Sequence, residues 1–128
     1  MTLHTSDGCV MSLTGEQGNA NGNNCVGNIG CQVQDPRAQS YGTAFNANGG
    51  GIYATEWTSN HIQMWFWPRG TEPANVHTTP DPSTWGTPMS NFQGSCNIDA
   101  HFMNHNMVFD TTFCGDWAGA VWGNFPQW

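Results

Sequence analysis

The sequence is poor in charge, and above all in positive charge. Its 128 residues include 2 Lys+Arg against 9 Asp+Glu, which gives a formal net charge of −7 at pH 7. Arg37 and Arg69 cannot neutralise a phosphate backbone, nor can they attract an anionic lipid surface. We therefore expect no nucleic-acid partner and no membrane partner. A neutral polar ligand fits this composition better.

The sequence also lacks a long apolar run and a leader-like start. No stretch approaches the roughly 20 apolar residues that span a bilayer. The opening MTLHTSDGCVMSL has no basic region followed by an apolar one, as a signal peptide would. The five cysteines instead indicate an oxidising compartment, with two disulfides and one thiol left over. We expect a secreted, extracellular protein whose leader is not part of this chain.

A zinc site is the alternative interpretation of the cysteines. Cys96, His101, His105 and Cys114 have suitable ligand atoms, and the two histidines would share one face of a helix. The sequence has no C-x-x-C pair, however, and its neighbouring Phe102-Met103 is typical of a strand or core. We therefore predict no metal and no other cofactor.

The clearest local pattern is a β-hairpin over residues 52–68. Two runs rich in β-branched and aromatic residues flank the two-residue polar link Ser59-Asn60. Side chains alternate along a strand. One face of the second strand then carries Ile62, Met64 and Phe66, and the other carries Trp65 and Trp67. This pattern favours a sheet with its aliphatic face on a core and its aromatic face towards a ligand, and burial on both faces is the alternative.

The segments before the hairpin predict a strand, a long loop and a bend. Residues 1–5 alternate briefly and predict a short strand. Residues 6–34 are rich in Gly, Asn and Ser and predict a loop that disulfides hold in place. Residues 39–51 end in three glycines and predict the bend that starts the hairpin.

The segments after the hairpin predict a surface crossing and one more strand. Residues 69–94 are rich in proline, and Trp85 within them either fills the core or forms the floor of a sugar subsite. The period of two from Met107 to Cys114 predicts a strand. Because no amphipathic helix or internal repeat is present, the predicted fold class is all-β.

Five strings occur in the order LHTSDGC, SYGTAFNANGGGIYATEW, IQMWFWPRG, WGTPMSNFQGSCNIDAHF and FDTTFCGDWAG. Together they resemble the fungal laminarinase-like endo-β-1,3(4)-glucanases of glycoside hydrolase family 16, from about Met1 to Val121. The resemblance implies a concanavalin A-like β-jelly roll sandwich of two curved antiparallel sheets. It further implies a concave cleft for a β-1,3 or mixed-linkage glucan. The chain is accordingly predicted to be a single, partial domain over 1–128.

The catalytic residues that the resemblance implies are not found here. Family members are retaining hydrolases with two glutamates in E-x-D-x-x-E, whose carboxyl groups stand about 5–5.5 Å apart. In the family that motif lies just upstream of the first matching string. Here Glu16, Glu56 and Glu72 are each alone in sequence. Asp110 and Asp116 would lie about 20 Å apart on an extended strand at roughly 3.3 Å per residue. We assign no catalytic residue and predict that the chain alone does not hydrolyse glucan.

Two residues match binding positions of the family. His4, in LHT, matches a position beside the catalytic glutamates, and Trp117, in CGDWAG, matches a cleft tryptophan that stacks on a glucose ring. Trp65, Trp67 and Trp85 are added as substrate-binding candidates by face or loop position alone. The alternatives are a solvent-facing His4 and a Trp117 that fills the core.

The end of the chain also departs from the family pattern. Family members continue past the WAG string through a Cys-containing loop to a final core strand. We expect at least two strands of the jelly roll to be missing, which exposes sheet edges and favours self-association. Two functions remain open. The chain is the glucan-recognising part of a glucanase that needs its catalytic segment from elsewhere, or it is a non-catalytic β-glucan-binding or structural remnant.

Overall fold

The computed structural model of the chain describes residues 1–111 and 114–124. The strands are β1 (Thr2–Leu3), β2 (Ser12–Leu13), β3 (Asn19–Asn21), β4 (Cys31–Gln34), β5 (Gly51–Trp57), β6 (His61–Pro68) and β7 (Ser90–Gln93). The α-helices are α1 (Gly42–Ala47), α2 (Ile98–His101) and α3 (Asp116–Val121). Short 3-10 helices lie at Ala38–Ser40, Ala74–His77, Pro82–Thr84 and Trp122–Asn124. In the described ranges, a helix with the length and apolarity to cross a membrane is not found.

Two antiparallel sheets enclose the core. One sheet has the strand order β1-β4-β3, and the other has the order β2-β7-β6-β5. Leu3 and Val33 from the first sheet join Ile62 and Phe92 from the second in one buried cluster. Burial of such side chains is the main force that holds two sheets together. The predicted all-β class is therefore confirmed, and its form is a two-sheet sandwich.

The hairpin is confirmed with its predicted link. β5 and β6 pair from Gly51 opposite Pro68 to Trp57 opposite Ile62, and the Thr58 amide donates to the His61 carbonyl at 2.9 Å. The link is therefore Ser59-Asn60. The aliphatic face of β6 points to the core as predicted.

The short helix α1 covers the far end of the hairpin. Its Phe45 lies 6.3 Å from Phe66 and 6.5 Å from Tyr53, measured between ring centroids. Tyr53 also donates its hydroxyl to the Ser40 carbonyl. Residues 42–47 thus form a helix that packs aromatic rings, which the sequence-based expectation missed, whereas the glycine-rich end of the segment forms the predicted bend, with φ of +75° at Gly49 and +89° at Gly50 just before β5.

Residues 6–34 are not the long loop that their composition predicts. β2, β3 and β4 lie within them, and β4 is paired on both sides. Only Cys31-Gln32-Val33-Gln34 alternates between buried and less buried residues. The polar composition hid these strands because β3 is exposed along its whole length.

The strand predicted over 107–114 is wrong for the part that the structure describes. Residues 107–111 are in no strand, and residues 112–113 lie outside the described ranges. Met107, Val108 and Phe109 are 94%, 79% and 97% exposed. Alternation alone does not form a strand, because an extended segment also needs a neighbour for its backbone groups. Just before this segment, residues 98–101 form α2 instead, capped where Asn97 accepts from the Ala100 amide at 3.1 Å.

The cysteines form the two disulfides that the sequence predicts. Cys9 pairs with Cys96 and Cys25 with Cys31, while Cys114 is an exposed free thiol. The zinc alternative fails at Cys96, because its sulfur is already bonded to Cys9. Among the described residues, no group of three or more metal-ligating side chains lies together.

Replacing Cys9 and Cys96 together by alanine should lower the free energy of unfolding by about 2–5 kcal/mol. This disulfide links residues 87 positions apart, so its loss greatly increases the freedom of the unfolded chain. Urea unfolding followed by tryptophan fluorescence measures the change. Cys114→Ala is the matched control, with an expected change below about 0.5 kcal/mol. A double variant as stable as the parent would contradict this prediction.

Candidate functional site

The outer face of the three-stranded sheet is lined with neutral polar side chains. Thr2 pairs with Gln32, Asn21 also pairs with Gln32, and Asn19 pairs with Gln34. Cross-strand partners share a face. All except the half-buried Gln32 are exposed. We call these five residues the amide face. The sequence-based expectations missed it, and the alternation in Cys31-Gln32-Val33-Gln34 is the signal that points to it.

His4 follows β1 at the border of the amide face. Leu3 is buried in the core, so alternation directs His4 away from it. The His4 ring is exposed, and its Nδ1 lies 2.9 Å from the Gly27 carbonyl oxygen. A carbonyl oxygen only accepts, so Nδ1 carries the proton. In the neutral ring Nε2 is therefore left as an acceptor that can face a ligand hydroxyl.

Gly30 allows this placement of His4. Its φ is +67°, and a Cβ on Gly30 would stand 2.3 Å from the Leu3 carbonyl oxygen and 2.7 Å from His4 Nδ1. Any larger residue would displace both β1 and the ring. The backbone before β4 thus fixes the orientation of His4.

The tryptophans from the hairpin and the crossing segment form one cluster. Trp85 stands edge-on to Trp65 at 5.2 Å and to Trp67 at 5.4 Å. Trp65 donates Nε1–H to the Gly86 carbonyl at 2.9 Å, and Trp85 donates Nε1–H to Asn75 Oδ1 at 2.9 Å. Trp65 is only 3% exposed, so its ring faces are used within the protein. The cluster packs the proline-rich crossing onto the sheet.

The structure separates His4 from this tryptophan cluster. His4 adjoins the outer face of the β1-β4-β3 sheet, whereas Trp65 and Trp67 lie on the outer face of the other sheet, opposite Ile62. The two groups are therefore on opposite sides of the sandwich. Trp117 belongs to α3, but its side chain lies outside the described residues.

A groove of about 670 Å³ continues from the amide face. Asn19 and Gln34 belong to both, and Tyr41 from the start of α1 and Trp122 from the end of α3 add aromatic walls. Tyr41 is 62% exposed and Trp122 50% exposed. We call this cavity the aromatic groove.

An ion pair forms the floor of the aromatic groove. Arg37 donates Nε–H to both carboxylate oxygens of Asp35, at 2.8 and 3.1 Å, and Nη2–H to Oδ2 at 2.5 Å. Its Nη1 donates to the Phe66 carbonyl at 3.1 Å, and its guanidinium lies 5.1 Å from the Phe66 ring centroid. The hydrogen bond to Asp35 raises the pKa of Arg37. The two charges therefore cancel locally.

A second pocket of about 320 Å³ opens between the two sheets. It is lined by Met1 to His4 of the first sheet and by Thr55, Trp57 and Ile62 of the second. Among the described residues, β1 and β5 are both edge strands, so both sheets end on this side. Trp57 is 46% exposed here, with its ring 5.2 Å from His105. We call this side of the sandwich the open side.

Three of the described carboxylates are held by basic side chains. Besides Asp35, Glu56 lies 2.8 Å from His61 Nε2, and Glu72 lies 3.3 Å from His77 Nε2. The hydrogen bond from its own backbone amide, together with His77, lowers the pKa of Glu72. A glycosidase acid needs the opposite shift. None of these pairs has the form of two facing glutamates.

Comparison with known proteins decides the family. The model of the XgeA-like catalytic domain of glycoside hydrolase family 16 matches residues 1–127. The chain belongs to glycoside hydrolase family 16. The resemblance inferred from the sequence is thereby confirmed.

Two relatives of this family 16 chain are fungal proteins. It is 43% identical over 129 residues to the endo-1,3(4)-β-glucanase xgeA of Emericella nidulans, covering 97% of this chain and 20% of that protein. It is 41% identical over 130 residues to a probable glycosidase of Schizosaccharomyces pombe, covering 94% and 31%. The chain thus spans well under half of the length of these relatives.

Solved family 16 structures confirm the jelly roll. An elongating β-1,3-glucosyltransferase superposes with a TM-score of 0.86 at 45% identity, over 94% of this chain and 42% of that one. Laminarinase 16A from Phanerochaete chrysosporium superposes with a TM-score of 0.79 at 43% identity, over 97% and 46%. The matched region therefore keeps the family fold while spanning less than half of each solved chain.

Replacing Arg37 by alanine should lower the free energy of unfolding by about 1–3 kcal/mol. The change leaves the Asp35 carboxylate, whose side chain is only 6% exposed, without its bidentate partner. The range is kept below that of a fully buried pair because the Arg37 side chain is 33% exposed. Urea unfolding measures the difference.

Arg69→Ala is the matched control for Arg37→Ala. Arg69 is exposed, and its hydrogen bond within the described residues goes to the Gly49 carbonyl, so its loss should cost less than about 1 kcal/mol. Equal changes in the free energy of unfolding for the two substitutions would contradict a stabilising role of the ion pair.

Proposed function

We propose that this chain is the β-glucan-recognising part of an endo-β-1,3(4)-glucanase. The amide face is the observation that carries the proposal. Side-chain amides both donate and accept hydrogen bonds, which suits the hydroxyl groups of a sugar. They also carry no charge, which suits a neutral glucan.

The names of the relatives support the same ligand class. Emericella nidulans xgeA is an endo-1,3(4)-β-glucanase, and the laminarinase 16A structure holds two β-glucans, in its donor and acceptor sites. β-1,3 or mixed-linkage glucan is therefore the proposed partner. His4 and Trp117 are the proposed cleft contacts, and Nε2 of His4 is free to accept from a glucan hydroxyl.

The tryptophan cluster is not part of the proposed cleft. Trp67 and Trp85 are half-buried on the opposite side of the sandwich, so a sugar bound there would occupy a separate surface. Trp65 packs edge-on against Trp85, which in turn contacts Trp67. Glucan contact at that surface, through Trp67 and Trp85 with Trp65 packed behind them, is a separate proposal.

The chain alone is proposed to lack hydrolytic activity. Retaining hydrolysis needs two carboxyl groups on either side of one bond. Asp35, Glu56 and Glu72 instead pair with Arg37, His61 and His77. The E-x-D-x-x-E motif is missing from the sequence. Recognition and bond cleavage are thus assigned to different parts of a family 16 domain.

An extracellular location is proposed with this function. Two disulfides persist in oxidising compartments, and a glucan polymer outside the cell is the corresponding ligand.

Laminari-oligosaccharides should change the tryptophan fluorescence of the pure chain saturably, without release of reducing sugar. Calorimetric titration should show weaker binding for His4→Ala and Trp117→Ala, by about 5- to 100-fold, because each removes a contact to the sugar. His77→Ala is the matched control for His4→Ala, since His77 lies in the 3-10 helix Ala74–His77, outside both sheets. Reducing-sugar release by the chain alone would contradict the assignment of an inactive part.

A structural remnant that associates with itself is the second candidate function. The open side favours it, because it exposes two edge strands and apolar side chains including Trp57. Unpaired edges readily pair with another chain. Absence of glucan binding in a folded, dimeric sample would favour this candidate over the first.

Thr55→Glu should shift the chain from dimer to monomer. Thr55 lies on the edge strand β5 and lines the open side, where a carboxylate would be buried in any dimer through that side. Size-exclusion chromatography with light scattering measures the mass over a range of concentrations. Thr79→Glu, in the exposed crossing segment, is the control and should stay dimeric. A parent chain that is monomeric at all concentrations would remove the proposal.

A further inference from the structure

We propose that Asn21 is a site of spontaneous deamidation, through cyclisation with the Gly22 amide, which converts the neutral amide face into an anionic one. The inference concerns a modification of the chain and goes beyond the proposed function. The sequence contains two Asn-Gly pairs, Asn21-Gly22 and Asn48-Gly49. Glycine has no Cβ, so it leaves its own backbone nitrogen unshielded. Both pairs are therefore candidates by sequence, and the structure separates them.

The reaction needs only the chain itself and water. The Gly22 nitrogen forms a bond to Cγ of Asn21. Its proton passes through the solvent to the side-chain nitrogen, which leaves as ammonia, and a five-membered succinimide remains. Water then cleaves one of the two ring C–N bonds, which gives either aspartate or isoaspartate. Because the backbone nitrogen is the nucleophile, the step is fastest where that nitrogen has no hydrogen bond to give up.

The Asn21-Gly22 pair is open to this reaction. Both residues are exposed, and among the described residues neither the Gly22 amide nor the Asn21 side chain has a hydrogen-bond partner. Asn21 is the last residue of β3, which is an edge strand in the described ranges. Beyond it, the Gly22 carbonyl accepts from the Gln32 amide at 3.2 Å. The peptide bond between Asn21 and Gly22 therefore turns towards the side chain with few contacts to break.

The Asn48-Gly49 pair is also exposed, but hydrogen bonds hold it. The Gly49 amide donates to the Asn46 carbonyl at 3.0 Å, and the Asn48 side chain donates Nδ2–H to the Gly50 carbonyl at 3.2 Å. Both bonds must break before the ring can close. Two hydrogen bonds of ordinary strength slow the reaction at this pair by at least about fivefold.

The product changes the chemistry of the amide face. The five side chains of this face are uncharged, and a carboxylate at position 21 adds one negative charge opposite Gln32, in a chain whose formal net charge is already −7. A carboxylate accepts hydrogen bonds but cannot donate them, whereas a side-chain amide does both. An aged chain thus loses one donor to glucan hydroxyl groups, a consequence that rests on the proposed function.

Peptide mapping of the parent chain by mass spectrometry tests the site. The folded chain is kept in a warm, mildly alkaline buffer, where the attacking nitrogen loses its proton more readily, and samples are digested over time. We expect the replacement of NH2 by OH to appear at Asn21 at least about fivefold faster than at Asn48. The chain unfolded in urea, with its disulfides reduced, is the control, and there the two sites should react at similar rates.

Asn21→Gln and Asn48→Gln form a matched pair of variants. Glutamine keeps the amide, but its extra methylene would require a six-membered ring, which closes more slowly. Anion-exchange chromatography of the aged parent should show an acidic form. Asn21→Gln should remove most of this form, and Asn48→Gln should keep it.

The outcomes separate the modification from the function. A folded parent in which Asn48 reacts as fast as Asn21 would overturn the modification, as would one in which neither site reacts while the unfolded chain does. The peptide map needs no variant, so it decides even if a variant fails to fold.

The consequence for binding is measured by calorimetric titration with laminarihexaose. Asn21→Asp should bind about two- to tenfold more weakly than the parent. Equal affinities would overturn this consequence and leave the modification standing. A folded parent that does not bind would overturn the proposed function together with this consequence, and the peptide map would be unaffected.

Discussion

The buried Cys9–Cys96 disulfide is the constraint on which the sandwich depends. Cys9 is fully buried and Cys96 is 6% exposed, within the cluster that also contains Phe92 and Ile98. The bond attaches the glycine-rich first part of the chain to the segment that follows β7. Strands of two or three residues have few ladder hydrogen bonds, so they keep their places only when a covalent and apolar anchor holds their ends.

The sequence was most informative where apolar residues alternate over a long run. The hairpin 51–68 was predictable because its two strands carry β-branched and aromatic residues on either side of a two-residue link. The strands within 6–34 were not, because β3 is wholly exposed and carries Asn and Ala. The alternation over 107–111 misled for the opposite reason: the pattern is present, but no neighbouring strand pairs with it in the described ranges.

The candidate site was only partly predictable. His4 was found from the sequence because it belongs to one short string, LHT. The His4 side chain is exposed, which is compatible with the family position. The amide face depends on register between strands far apart in sequence, so no local pattern contains it. The same holds for the groove, which joins Asn19, Tyr41 and Trp122. A single sequence gives little information on which distant residues come together in space.

The charge balance of the protein determines how it interacts with charged polymers. Arg37 is held by Asp35, and Arg69 donates to the Gly49 carbonyl, while the formal net charge is −7. The field around the molecule is therefore negative at neutral pH, and an acidic polymer repels it. Non-specific adsorption to such a polymer is therefore unfavourable.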